Sequence, residues 1–287
     1  MLCKQSGIIN VPLINQTKIK TMTNYFKSFF TCLLMSTILS ISAQNKAAIK
    51  GEEVTYTANG TTLKGYVAYN EKQQGKRPAI IVVPEWWGNN EYSKGRARQL
   101  AELGYIAIAV DFYGEGKIAE NPTDANAYAT PFYKDPQLGL SRMQAALTKI
   151  KEYPQTDADK IAAIGYCFGG AMVLNAAKLG MNFKGVVSFH GGLATVPATK
   201  GSTTAKILVC NGAADKFISP DDIKNFKGNL DSLKVPYTFI DYPDALHAFT
   251  NPQSTETGKK FNMPIAYNEA ADKKSWIDMK AFFKTIF

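Results

Sequence analysis

The run Gly165-Tyr166-Cys167-Phe168-Gly169-Gly170 constrains this chain more than any other short segment. Residues 160–164 before it read as a short buried strand, and residues 170–179 after it as a helix. A strand and a helix joined through so tight a turn force the central residue into a strained backbone conformation. Glycine on each side removes the Cβ atoms that would strike the adjoining elements. Such a turn is a nucleophile elbow, here with cysteine where serine is more usual. Cys167 is thus a candidate nucleophile, although glycine and free cysteine also meet in ordinary cores.

Its partners decide between these readings. An elbow nucleophile needs an acid and then a histidine later in the chain, each at the carboxyl end of a strand. Asp215 follows the apolar run Ile207-Leu208-Val209-Cys210 and the turn Asn211-Gly212-Ala213-Ala214. His247 follows Tyr237-Thr238-Phe239-Ile240-Asp241 and a short loop. The chain has two histidines, so the general base is His190 or His247, and His247 has the better position. His190 ends the strand-like Val186-Val187-Ser188-Phe189, where it either lines the same pocket or serves as a hydrogen-bonded structural group.

The chemistry follows from the residue types. A free thiol, with a pKa of about 8.5, is mostly protonated at neutral pH, so the histidine must take its proton or hold a thiolate as an ion pair. Asp215 would fix the imidazole tautomer through the other ring nitrogen. The oxyanion formed by attack on a carbonyl needs backbone donors, and the expected pair is the N–H of Phe168 and that of Trp86.

Four segments in order resemble the dienelactone hydrolase family of α/β-hydrolases. They are the elbow, Val82-Val83-Pro84-Glu85-Trp86-Trp87-Gly88, the stretch 104–114 from Gly104 to Gly114, and Leu246-His247-Ala248-Phe249. The similarity runs from about residue 54 to the C-terminus. It implies a Cys167, Asp215 and His247 triad, hydrolysis of small esters or lactones, and no cofactor. It also implies that Glu85 contacts the resting thiol and releases it when substrate binds. Trp87, His190, Tyr113 and Phe249 are the expected pocket residues. The arginines that bind a substrate carboxylate in the family are not matched: Arg96, Arg98 and Arg142 lie upstream of the elbow, and no arginine follows Arg142. The same triad would also serve an acyltransferase, and the fold would also serve a non-catalytic binding protein.

Strands are expected at residues 54–57, 63–69, 79–83, 106–110, 186–189 and 207–210, and helices at 92–103, 138–153, 220–233 and 268–283. Apolar strands alternating with helices predict a mostly parallel central sheet with helices on both faces, the α/β-hydrolase arrangement. Residues 118–136, with Asn121-Pro122 and Pro131, are expected to be an irregular lid.

Residues 28–45 are uncharged and follow Lys18, Lys20 and Lys27, and Ile41-Ser42-Ala43 offers a cleavage site. The apolar stretch is short for a membrane span and suits a secretory signal, with translation starting at Met1 or Met22. The expected mature protein is one domain of residues 44–287, exported to the periplasm or the medium, with no stable membrane insertion. The leader carries four lysines and no acid, so its removal lowers the net charge from +9 to about +5. No clustered basic run remains to suggest nucleic acid. After processing, only Cys167 and Cys210 are left, too few for a disulfide framework. No zinc-type spacing and no strand-linked G-x-G-x-x-G is present, so neither metal nor nucleotide is expected. Oligomeric state is left open.

Overall fold

The computed structural model describes residues 48–287, so the expected leader lies outside the described residues. The described residues begin with a hairpin, β1 (Ile49–Ala58) and β2 (Thr61–Asn70), paired antiparallel. It continues through β3 (Arg77–Val83), α1 (Glu91–Glu102), β4 (Ile106–Ala109), α2 (Pro122–Lys134), α3 (Pro136–Lys151) and β5 (Thr156–Tyr166). Then come α4 (Phe168–Lys178), β6 (Gly185–Phe189), β7 (Lys206–Gly212), α5 (Pro220–Ser232), β8 (Tyr237–Tyr242), α6 (Ser254–Phe261) and α7 (Glu269–Phe283).

One sheet of eight strands runs in the order β1-β2-β4-β3-β5-β6-β7-β8. From β4 to β8 every neighbouring pair is parallel, while β2 lies antiparallel to β4. Successive side chains on a strand point to opposite faces, and both faces are covered here, so β3 and β4 read as continuous apolar runs. Ile81, Val83 and Ile108 pack under α3, α4 and α5 with Met143, Ile150, Val173 and Leu230. Ile80, Val82 and Ala107 face α1 and α7 with Leu100, Met279 and Phe283. Each such buried aliphatic side chain contributes about 1.5–3 kcal/mol. Helix α4 is buried along its whole length, which explains why its sequence is small and apolar.

Parallel strands deliver their carboxyl ends to one edge. Glu85, Cys167, His190, Asp215 and His247 follow β3, β5, β6, β7 and β8 respectively, so the order of the sheet gathers them there.

Residues 118–136 are not the irregular segment expected. Most of this stretch is helix α2, whose first turn is capped by Asn121, with its side-chain oxygen accepting from Asp124 N–H at 3.0 Å. Pro122 occupies the first turn, where its missing N–H costs nothing, and Pro131 removes one helical bond without ending the helix. Burial of Ala125, Ala129 and Phe132 offsets that loss. Helix α6 was not foreseen, because its short sequence Ser-Thr-Glu-Thr-Gly-Lys-Lys-Phe has little apolar periodicity.

Candidate active site

Cys167 sits at the turn between β5 and α4 with φ 53° and ψ −116°, a left-handed backbone that a non-glycine residue adopts only under constraint. The constraint is visible. Its N–H donates to Phe189 O at 3.0 Å and to His190 Nδ1 at 3.1 Å, and Gly169 N–H donates to Pro84 O at 3.1 Å. A Cβ on Gly165 would stand 2.0 Å from Gly169 O, and one on Gly169 would stand 2.3 Å from Val83 O. The two glycines are therefore required by close backbone approach.

His247 Nε2 lies 3.0 Å from Cys167 Sγ, and His247 Nδ1 lies 2.8 Å from Asp215 Oδ2. The Asp215 carboxylate is oriented by its second oxygen, which accepts from Phe217 N–H at 2.8 Å. The acid and histidine loops are tied together, because Ala213 N–H donates to Tyr242 O and Ala214 N–H donates to Ala245 O. Gly212 allows this contact, since a Cβ there would come within 2.5 Å of Ala245 O. Burial alone would lower the pKa of His247, but a Cys167 thiolate and the Asp215 carboxylate outweigh it and raise the group to about 10. The arrangement favours the imidazolium form of His247, held between Asp215 and Cys167.

Phe168 is the first residue of α4, so its N–H has no intrahelical acceptor. Neither that N–H nor the one of Trp86 donates to a backbone acceptor among the described residues. The helix N-terminus also carries partial positive charge toward the sulfur.

Glu85 is buried and accepts from Asn251 Nδ2 at 2.7 Å. Burial pushes its carboxyl up to about 7, against the smaller opposing effects of the Asn251 hydrogen bond, His247 and Arg96. The expected contact of Glu85 with the thiol is not made: both residues border the pocket, but the thiol is engaged with His247 and the carboxyl with Asn251.

The pocket above Cys167 has a volume of about 200 Å³. Trp87 lines it as expected, together with Trp86 and Phe168, and is joined by Tyr133 of α2, Phe217 and Ile218 after β7, and Met263 and Ile265 after α6. Trp87 is held by stacking on Phe261 of α6, and Phe217 packs edge-on against His247.

Three expected pocket residues lie elsewhere. Tyr113 stands behind Phe168 and donates its hydroxyl to Trp86 O at 2.8 Å. Phe249 is buried between His190 and Tyr242. His190 is fully buried beneath the elbow, where Nδ1 accepts from Cys167 N–H and Nε2 lies 2.7 Å from Thr250 Oγ1. Each follows a strand end, but its backbone turns the side chain into the scaffold. Asn251, Phe217 and Met263 carried no sequence signal, since loops bring them in from separate places.

The dienelactone hydrolase family matches residues 63–287, which span most of the chain and hold the whole constellation. The chain belongs to the dienelactone hydrolase family. This member is 26% identical over 239 residues to Protein usf of Aquifex pyrophilus, covering 82% of this chain and 98% of that one. It also resembles the solved dienelactone hydrolase-like promiscuous phosphotriesterase P91 from metagenomic libraries. That likeness has 32% identity and a TM-score of 0.78, over 84% of this chain and 99% of P91. A second solved structure, m3DLH, is 33% identical with a TM-score of 0.79 and covers 84% of this chain and 99% of that one. This family member is accordingly a hydrolase of the ester and lactone class on an α/β-hydrolase fold.

Proposed function

We propose that this chain is an exported hydrolase of small esters or lactones in which Cys167 is the nucleophile. The observation that carries the reading is the unbroken line from Asp215 through His247 to the Cys167 sulfur, with contacts of 2.8 Å and 3.0 Å, at a small apolar pocket. In the first step the thiolate forms a bond to the carbonyl carbon, and the carbonyl oxygen takes up the charge. The N–H groups of Phe168 and Trp86 donate to that oxygen. Collapse breaks the carbon–oxygen bond, and the imidazolium of His247 gives its Nε2 proton to the departing alkoxide. A water then attacks the thioester while His247 Nε2 accepts its proton, and the thiolate leaves. Asp215 keeps Nδ1 protonated throughout. Glu85 gates the thiol in the resting enzyme. Its buried position on the same pocket as Cys167 supports that role, because a carboxyl driven toward its neutral form can approach the sulfur without like-charge repulsion.

Export belongs to the same proposal and is supported by the uncharged residues 28–45 behind lysines 18, 20 and 27. Amino-terminal sequencing of protein recovered from the periplasm or medium should begin near residue 44; retention of the leader in the cytoplasm would remove this part.

The activity test is hydrolysis of activated esters and lactones under reducing conditions, with mass spectrometry of the enzyme during turnover. An acyl adduct on Cys167 and no turnover by Cys167→Ala are expected. Full activity in that variant would overturn the assignment.

A further inference from the structure

The four arginines of the chain are all engaged away from the pocket. Arg96 is buried; its guanidinium donates to Thr250 O at 2.7 Å and to Asp272 Oδ1 at 2.5 Å, and it lies against the rings of Tyr92, Tyr166 and Trp276. Arg142 donates to Phe112 O at 3.3 Å, Ala58 O at 2.8 Å and Thr61 Oγ1 at 3.2 Å, which ties α3 to the first hairpin. Arg77 binds Asn70 O and Gln73 at the far edge of the sheet, and Arg98 pairs with Glu91 and Tyr66 on the outer face of α1. Among the described residues, the pocket lining contains no lysine or arginine. Lys216, between Asp215 and Phe217, is exposed and is not part of that lining.

The wall instead presents Trp86 and Trp87 after β3, Tyr133 of α2, and Phe217, Met263 and Ile265 from the loops after β7 and α6. Its ionisable members besides the triad are Tyr133 and the acid Glu85. Tyr133 and Phe217 are 55% and 51% exposed, so the apolar character continues from the pocket to its mouth. A substrate carboxylate entering here would lose its hydration to aromatic and aliphatic surface and meet no lysine or arginine, the imidazolium of His247 being already engaged by Asp215 and Cys167. An uncharged ring or short alkyl group would bury apolar area without that loss. The volume of about 200 Å³ is below that of drug-sized ligand sites and admits one group of roughly ring size.

We propose that this pocket selects uncharged esters bearing a small aromatic or apolar acyl group and discriminates against esters that carry a carboxylate. The proposal rests on Cys167 as the nucleophile.

The test compares three 4-nitrophenyl phenylacetates that share a leaving group and differ only in the para substituent on the acyl ring: methyl, carbamoyl or carboxylate. Initial rates of nitrophenolate release and the Cys167 acyl adduct are measured for each. The expected kcat/KM for the carboxylate is on the order of 100-fold below that for the methyl compound, and below that for the isosteric carbamoyl compound, as loss of hydration without a counter-charge implies. Met263→Arg, which places a cation in the wall, should raise the ratio of kcat/KM for the carboxylate substrate to that for the carbamoyl substrate about tenfold or more, and an unchanged ratio would overturn the selectivity. Equal rates for carboxylate and carbamoyl substrates, with acylation of Cys167 by both, would overturn the selectivity and leave the nucleophile assignment standing. Turnover without any Cys167 adduct, or no turnover of any of the three by fully reduced enzyme, would overturn both.

Discussion

His190 and His247 stand at the same edge of the sheet with ring centroids 5.4 Å apart, and both are almost wholly removed from solvent. Burial disfavours the charged form of each, yet His247 is raised to about 10 and His190 is held well below the ordinary histidine value. The difference lies in the partners. His247 faces a carboxylate and a thiol, both able to carry negative charge. His190 accepts from a backbone N–H and pairs with a hydroxyl, and after burial the charges that bear on it are the positive ones of His247 and Arg96. Its Nδ1 must stay unprotonated to accept from Cys167, so Nε2–H donates to Thr250. Glu85 extends the contrast: buried with a neutral amide for its direct partner, it too is driven toward its uncharged form. Proximity to Cys167 alone does not raise a histidine's pKa; partners able to carry negative charge do.

The largest expected break of this symmetry is kinetic. His247→Ala should lower kcat by roughly 100-fold or more, the usual worth of general acid–base work, in steady-state ester hydrolysis. A larger loss from a substitution at His190 than at His247 would reverse the assignment.

Glu85 offers a thermodynamic test. Its folded pKa of about 7 lies above the ordinary 4.5, so between these values the folded chain holds a proton that the unfolded chain releases. The stabilising effect is complete below pH 4.5 and is lost as pH rises through 7, by roughly 3 kcal/mol in all. Denaturant unfolding at pH 5 and pH 8 should show a smaller pH-dependent loss in Glu85→Gln than in the parent, and its Cys167 should alkylate faster with iodoacetamide. An unchanged pH dependence would place the titration elsewhere, and an unchanged alkylation rate would end the gating role.

His190→Asn should produce the smallest change. Asparagine can still accept from Cys167 N–H through its shorter side chain, so kcat should fall only about tenfold, in proportion to the misplacement of the elbow. The basic limb of the pH–rate profile should stay where it is, because His190 does not titrate in that range. A displaced limb would show that His190 shares the proton that the comparison gives to His247 alone.

Much of the site was legible before the fold was known. Glycines at 165 and 169 mark a turn that backbone contacts require, and the order of Cys167, Asp215 and His247 along the chain is local information. The positions of the first two strands and the later alternation of strands and helices were legible for the same reason, since period-two and helical patterns are written in neighbouring residues. Helix α2 was obscured because two prolines look like breakers when the capping by Asn121 and the burial of Phe132 are not in view. Tyr113 and Phe249 were misplaced because proximity to a strand end does not specify which way a side chain turns.

The sequence by itself determined the tight strand–turn–helix at Cys167, the order of Cys167, Asp215 and His247 along the chain, and the layered α/β architecture, since each is written in residue types along the chain. Only the tertiary structure decided which histidine meets charge, which residues wall the pocket, and where the arginines are engaged. Those properties depend on contacts such as Glu85 with Asn251 and Arg96 with Asp272, between residues far apart in the chain whose distances are set by the packing of the whole sheet and its helices.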